Sequence, residues 1–100
     1  MIALAKRASY NPEAIVVQDG IDFLKFAQNF VGGYIETVIF RAEKIPYVVI
    51  CNEEERLMGL PYNCTIGNVD FCGDILIVGI DGSEFSDIPH DILLYFERNL

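Results

Sequence analysis

The chain has 100 residues, 52% of them apolar, and its fifteen acidic and seven basic side chains give a formal net charge of −8. This composition excludes a disordered chain, and a length of about 100 residues fits one domain that folds without a disulfide or a metal. The acidic charge disfavours direct binding to nucleic acid or to anionic membranes, and it either favours a basic protein partner or simply keeps an apolar chain soluble. A nucleotide remains possible, because one arginine and a few backbone amides can hold a phosphate.

The first third of the chain predicts two short strands and a helix. Residues 1–4 and 14–17 read as strands that are joined by a turn. Residues 21–30 repeat apolar side chains at helical spacing, with Asp19 as the predicted N-cap and Gly32 as the glycine that ends the helix.

The rest of the chain predicts three strands and a closing helix. Residues 34–40 and 46–51 are β-branched and aromatic, so they are predicted to pair as a hairpin. Residues 59–63 are punctuated by Gly, Pro and Asn and are predicted to be irregular. Residues 74–80 are almost wholly apolar and read as the most buried strand, and residues 86–99 form the last predicted helix.

This order of elements predicts an α+β domain that spans residues 1–100. We expect a small mixed or antiparallel sheet of about five strands with both helices packed on one face. Because the chain has apolar surface to spare, we also expect a homo-oligomer, most simply a two-fold dimer.

The cysteines and the longest apolar runs bear on cellular location. Cys51, Cys64 and Cys72 are odd in number and lack CxxC spacing, so we expect free thiols in a reducing cytoplasm and no metal site. Residues 1–7 are too short and wrongly charged for a signal peptide, and no run approaches the ~20 apolar residues of a membrane span. The expected location is cytoplasmic.

The sequence offers little for catalysis. His90 is the only histidine and is expected on a helix surface, which removes most acid–base and nucleophilic triads. Glu36 and Glu53 could form an acid–base pair, but no nucleophile, metal or cofactor cradle accompanies them. We therefore expect no enzymatic activity and no cofactor.

One candidate binding region is the charged turn after the fourth predicted strand. Residues 53–55 are three consecutive glutamates, and a solvated turn is favoured over a calcium loop, which needs alternate ligands and a glycine. Arg56 lies between Asn52 and Asn63, and an arginine fork with two amides suits phosphate or ribose recognition.

The glycine pair after the first helix and an aromatic loop supply the other candidates. Gly33 lets backbone approach a ligand closely, and Tyr34 offers a stacking face with a hydroxyl, although a simple helix end is favoured. Tyr62 stands in a rigid Gly- and Pro-containing loop, where the alternative is a turn that fills the end of the core.

Four segments together resemble a family of small domains of unknown function from phages, prophages and conjugative elements, chiefly of Gram-positive bacteria. The segments are VGGYIE at 31–36, CNEE at 51–54, LMGLPYN at 57–63 and GDILIVG at 73–79. The resemblance covers about residues 13–85, and the helix over 86–99 looks like an addition. Glu55 stands where relatives often carry glycine.

The resemblance implies an accessory protein of a mobile element that counters host defence, inside the host cell, by binding something. The first expectation is a sponge, an oligomer that sequesters a nucleotide-derived immune signal. Its expected ligand-binding residues are Gly33, Tyr34, Glu36, Asn52, Arg56, Tyr62 and Asn63. The alternative is an acidic inhibitor that mimics DNA and binds a host nuclease or a restriction or CRISPR complex. A structural or regulatory module of the element is a third possibility.

Overall fold

An antiparallel six-stranded sheet forms the centre of the fold, which a computed structural model describes for residues 1–100. The strands are β1 (Ile2–Lys6), β2 (Glu13–Val16), β3 (Ile35–Ala42), β4 (Ile45–Asn52), β5 (Tyr62–Ile66), β6 (Val69–Cys72), β7 (Ile75–Asp81) and β8 (Glu84–Ser86), and the helices are α1 (Phe23–Val31) and α2 (His90–Asn99). The sheet order is β2-β1-β7-β4-β3, β8 pairs with β7, and β5 pairs with β6 as a separate hairpin. The predicted α+β class and the predicted β3–β4 hairpin are confirmed.

Strand β7 is fully buried from Ile75 to Val78 and presents apolar side chains to both faces of the sheet, although β4 has more buried residues than the strand that was predicted to be the most buried. Leu76 and Val78 belong to one core cluster, which includes Ala27 of α1, whereas Ile77 belongs to a second cluster, which includes Phe96 of α2. The two helices therefore lie on opposite faces, and the prediction that both pack on one face is wrong. A strand that is apolar on both sides needs cover on both sides.

The face that carries α2 is completed by the β5–β6 hairpin, most of which was not predicted. Helix α2 has ten residues and is only about 15 Å long. It is therefore too short to cover a whole sheet face in a molecule that extends 31 × 30 × 23 Å. Cys64 and Phe71 of the hairpin fill the remaining core on that face. The hairpin reverses through Gly67 and Asn68, and Gly67 has a φ of 59°, which suits glycine at the first position of a two-residue loop.

Both helices begin later than predicted. Asp22, not Asp19, caps α1, because its side chain accepts a hydrogen bond from the Lys25 backbone N–H at 3.3 Å. Gly32 ends α1 in the left-handed conformation, as predicted. The closing helix starts at His90, since residues 84–86 pair with β7 instead. No helix in the chain is both long and apolar enough to cross a membrane.

Candidate functional site

The seven predicted ligand-binding residues do not share one pocket. Gly33 and Tyr34 line one surface depression, together with Gln28 and Asn29 of α1. Glu36 and Arg56 line a different one, and Tyr62 lines neither. The two asparagines act as buried or half-buried links between elements.

Asn52 is a structural link at the end of β4. Its buried amide Nδ2 donates to the Val31 carbonyl at 3.1 Å, and its Oδ1 accepts from the Glu54 backbone N–H at 2.8 Å. Gly33 packs directly on this amide, because a Cβ there would lie 2.8 Å from Asn52 Nδ2. The glycine is therefore required by the close approach of the asparagine and need not face a ligand.

Asn63 is a second structural link, between the β5–β6 hairpin and β1. Its Nδ2 donates to the Lys6 carbonyl at 2.7 Å and to the Gly73 carbonyl at 2.8 Å. Its Oδ1 accepts a hydrogen bond from the buried Lys6 ammonium at 2.9 Å. Tyr62 beside it is exposed, and its hydroxyl lies 2.7 Å from Thr65 Oγ1.

The main candidate site is an acidic cleft of about 240 Å³ between the start of β3, the turn after β4 and strand β6. It is lined by Glu36, Val38, Cys51, Glu53, Glu55, Arg56, Leu57, Val69, Asp70 and Phe71. Four of these side chains are carboxylates and one is a guanidinium, so the cleft favours a positively charged group.

Glu55 is the unusual residue of the acidic cleft. The side chain is 9% exposed, and its Oε2 is buried without any hydrogen-bond partner. Burial raises the pKa of Glu55, and the Cys72 backbone N–H and the Arg56 guanidinium only partly oppose that rise. A buried carboxylate oxygen without a donor is costly, by about 1–3 kcal/mol, so its presence here requires a reason.

The turn geometry explains why Glu55 points inward. The Glu55 backbone N–H bonds to the Asn52 carbonyl at 3.2 Å, and the Leu60 N–H bonds back to the Glu55 carbonyl at 3.1 Å. This winding leaves Glu53 and Arg56 exposed and turns Glu55 into the protein. The sequence analysis grouped all three glutamates as a solvated turn and missed Glu55, because nothing in the local pattern separates it from its two neighbours.

The thiol at the base of the cleft is not a nucleophile. Burial, followed by the nearby Glu55 and Glu36 carboxylates, raises the pKa of Cys51 to about 12. The thiol therefore stays protonated near neutral pH, and its Sγ donates to the Glu36 carbonyl at 3.7 Å. Cys51 and Cys64 are buried and all three cysteines are free, as predicted, although Cys72 is only half-buried.

The rim of the acidic cleft is apolar. Leu57 is 88% exposed although it lines the cleft, and Met58 next to it is also exposed. Large exposed apolar side chains next to a polar pocket are typical of protein interaction surfaces. The cleft thus combines carboxylates that attract a cation with an apolar anchor beside them.

The second depression is called here the Tyr34 pocket, and it is formed by Gln28, Asn29, Gly32, Gly33 and Tyr34. It measures about 310 Å³, and the Tyr34 ring is 72% exposed. A free aromatic face beside two side-chain amides can stack on a planar ring and hydrogen-bond to its edge.

No group of three or more His, Cys, Asp or Glu side chains is arranged to hold a metal ion.

Comparison with known proteins gives the family of the chain. Searches of curated proteins and of solved structures found no match. One family model, described as a domain of unknown function, matches residues 2–100, and the chain therefore belongs to the DUF3846 family.

Proposed function

We propose that this is a non-enzymatic binding protein whose acidic cleft holds a basic side chain of a protein partner. The observation that carries the proposal is that Glu55, a residue that lines the cleft, holds a buried Oε2 without a hydrogen-bond donor from the chain. An arginine or lysine from a partner would supply that donor. Hydrogen bonds to charged groups contribute about 1.5–3 kcal/mol, which makes this contact a strong candidate for the centre of an interface.

The surroundings of Glu55 support the same occupant. Glu36, Glu53 and Asp70 line the cleft around it and surround an entering cation with negative charge. The formal net charge of −8 adds a long-range field that accelerates the approach of a basic surface. The exposed Leu57 adds apolar area at the rim.

A counter-defence role is part of this proposal. The resemblance to domains of phages and conjugative elements suggests a host target, and basic surfaces that bind DNA are the natural complement of an acidic cleft. The carboxylates that are scattered along the chain gather in part around Glu55, which supports an inhibitor of a defence nuclease or a restriction or CRISPR complex. An arginine that normally contacts a phosphate would enter the cleft instead.

A second candidate is the nucleotide sponge, and the Tyr34 pocket favours it. The free Tyr34 ring and the neighbouring Gln28 and Asn29 amides suit a nucleobase. Arg56 lines the acidic cleft and not this pocket, so such a ligand would depend on stacking more than on an arginine fork. A homo-oligomer could complete the pocket with a second copy.

Calorimetric titration with a synthetic peptide tests the proposal. The probe is acetyl-(Ala-Arg)5-amide, and its matched control replaces each arginine by citrulline, which has the same shape without the charge. We expect the arginine peptide to bind and the citrulline peptide not to bind. Glu55→Gln should weaken binding about tenfold, the equivalent of about 1.4 kcal/mol, because the charge-assisted bond is lost. Glu84→Gln changes the same charge on exposed β8 and should have no effect.

Equal binding of both peptides, or an unchanged affinity of Glu55→Gln, contradicts the cationic occupant. Native mass spectra with cyclic dinucleotides, cyclic oligonucleotides and ADP-ribose derivatives test the second candidate and report the oligomeric state. A bound nucleotide that is lost in Tyr34→Ala, with no binding of the arginine peptide, would favour the sponge.

A further inference from the structure

A separate pocket lies at the other end of the β3–β4 hairpin, where it meets α2. It measures about 290 Å³ and is called here the aromatic pocket. It is lined by Ala42, Glu43, Ile45, Tyr47, Asp91, Ile92, Tyr95 and Phe96. No residue of the acidic cleft is among them, and Ala42 lies six positions along β3 from Glu36, about 20 Å in an extended strand.

Three aromatic rings form the walls of the aromatic pocket. The Phe96 ring contacts Tyr47 with centroids 5.4 Å apart and planes at 70°, and it contacts Tyr95 at 5.3 Å and 73°. Phe96 and Tyr47 are buried, and Tyr47 also stacks on Phe40 with centroids 5.5 Å apart, whereas Tyr95 is 59% exposed. Tyr95 is therefore the most accessible of the three rings, and an aromatic face attracts a cation that approaches it.

Tyr47 is a buried polar residue that lines this pocket. Its side chain is 7% exposed and belongs to the core cluster that includes Ile92 and Phe96. Burial, and to a lesser extent Tyr95, raises the pKa of Tyr47, so the hydroxyl stays protonated. The pocket therefore contains a neutral phenol beside its apolar side chains.

The charged residues of the aromatic pocket have one sign. Glu43 and Asp91 both line it, and no basic side chain does. Glu43 also adopts a left-handed backbone conformation, with a φ of 58°, at the first position of the two-residue β3–β4 turn. A non-glycine residue in this conformation is strained, and such strain is concentrated at functional sites.

We propose that the aromatic pocket binds an alkylated ammonium group, carried either by a small molecule such as a quaternary amine or by a methylated lysine. Aromatic rings attract a cation through their quadrupoles, and the apolar walls accommodate methyl groups that replace the water shell of a simple ammonium. The Glu43 and Asp91 carboxylates supply the countercharge. The acidic cleft differs, because its orphaned Glu55 oxygen requires an N–H donor, which a quaternary amine lacks.

Nuclear magnetic resonance of the whole protein with labelled tyrosine and phenylalanine rings tests this site. The probes are choline and its neutral isostere 3,3-dimethylbutanol. We expect choline to shift the ring signals of Tyr47, Tyr95 and Phe96 in a saturable way and to bind roughly tenfold more tightly than the isostere. Equal affinities would overturn the cation assignment, and unshifted rings at saturating choline would overturn the site.

Single substitutions show how much each residue of the aromatic pocket contributes to choline binding. Tyr95→Ala should weaken choline binding about tenfold, and because Tyr95 is 59% exposed, the fold should persist. Tyr10→Ala removes another exposed tyrosine outside the pocket and should change nothing. Asp91→Asn should weaken binding several-fold, whereas Glu97→Gln on the same helix should not. Equal loss in the variants and their controls would contradict the proposal.

The source of the ammonium is distinguished by peptides. A short peptide with one trimethyllysine should bind more tightly than the same peptide with unmodified lysine. Tighter binding of the trimethyllysine peptide than of choline would point to a protein-borne group, and the reverse order would point to a small molecule. Unmodified lysine that binds as tightly as trimethyllysine would overturn the alkylated-ammonium assignment.

Discussion

Replacement of the buried Glu55 by glutamine should make the protein more stable while it weakens partner binding. The reason is that the carboxylate is held where its charge is poorly solvated, with Oε2 unpaired. Glutamine keeps the size and one acceptor oxygen but carries no charge. A residue whose removal improves stability is retained for another purpose, which is the relation expected of a binding residue.

The size and the sign of this effect follow from the burial of the carboxyl. Burial raises the pKa of Glu55 in the folded protein above its value of about 4.3 in the unfolded chain. The Glu55 carboxyl therefore stays protonated to a higher pH in the folded protein than in the unfolded chain. The free energy of unfolding of the wild type falls as the pH rises from the unfolded-state pKa through the folded-state pKa. Above this pH range the loss of stability that the carboxylate causes is constant, and burial of an unpaired acceptor costs about 1–3 kcal/mol.

Urea unfolding at pH 4, 5.5 and 7 measures this difference. At pH 7 we expect Glu55→Gln to be about 1 kcal/mol more stable, a shift of the midpoint by roughly 0.5–1 M for a chain of this size. At pH 4 the two proteins should be nearly equal. The matched control is Glu54→Gln, which removes an exposed neighbouring charge and should stay within about 0.5 kcal/mol.

Two results would refute the reasoning. A Glu55→Gln variant that is less stable than wild type at pH 7 would mean that the carboxylate is a structural hydrogen-bond acceptor, for example of the Cys72 backbone N–H. A stability difference that does not change with pH would mean that the ionisation of Glu55 is not the source of the penalty.

Three further substitutions test the fold. Gly79→Ala should lose about 2 kcal/mol or more by urea unfolding, since its Cβ would overlap the Asp87 backbone oxygen and the segment that contains β8 would have to move away from β7. Glu43→Gly should raise the melting temperature through relief of about 1 kcal/mol of left-handed strain, whereas Lys44→Gly, which has no positive φ to relieve, should lower it. Asn63→Ala should lose about 3 kcal/mol in calorimetry, because it removes three hydrogen bonds and leaves a buried ammonium short of an acceptor.

The sheet was largely predictable because its strongest signals are local. Residues 74–80 are almost wholly apolar, and the two β-branched runs on either side of residues 41–45 read as a hairpin by periodicity alone. The α+β class follows from the order of these elements. These features depend on neighbours in the chain and need no knowledge of distant contacts.

The distribution of the helices was not predictable in the same way. The apolar run in β7 shows that both faces are buried, but it does not say what covers each face. The β5–β6 hairpin contributes to one face, but its strands are short. Residues 59–63 at its start were predicted to be irregular, and the rest of the hairpin carried no prediction. Tertiary packing decided both points.

The candidate site was predictable only in part, for a physical reason. Glu36 and Arg56 do lie together in the acidic cleft. Asn52 and Asn63 resemble ligand-binding amides in sequence, yet the Nδ2 of each donates to backbone carbonyls of other elements, and the Oδ1 of Asn63 accepts from the Lys6 ammonium. Glu55 is adjacent to two solvated glutamates, and only the winding of the turn distinguishes it from them.

The position of β7 in the sheet has a consequence for synthesis of the chain. Ile77 pairs with Leu4 on one side and with Val49 on the other, so the strand that joins the two halves of the sheet is synthesised after both of its neighbours. Until then β1 and β4 are apolar strands without their shared neighbour, and such unpaired edges are prone to aggregate. A premature stop before residue 75 should therefore yield an insoluble product and not a smaller folded one. At the usual 5–20 residues per second, the nascent chain spends roughly 1–5 seconds exposed in this way after β4 is made.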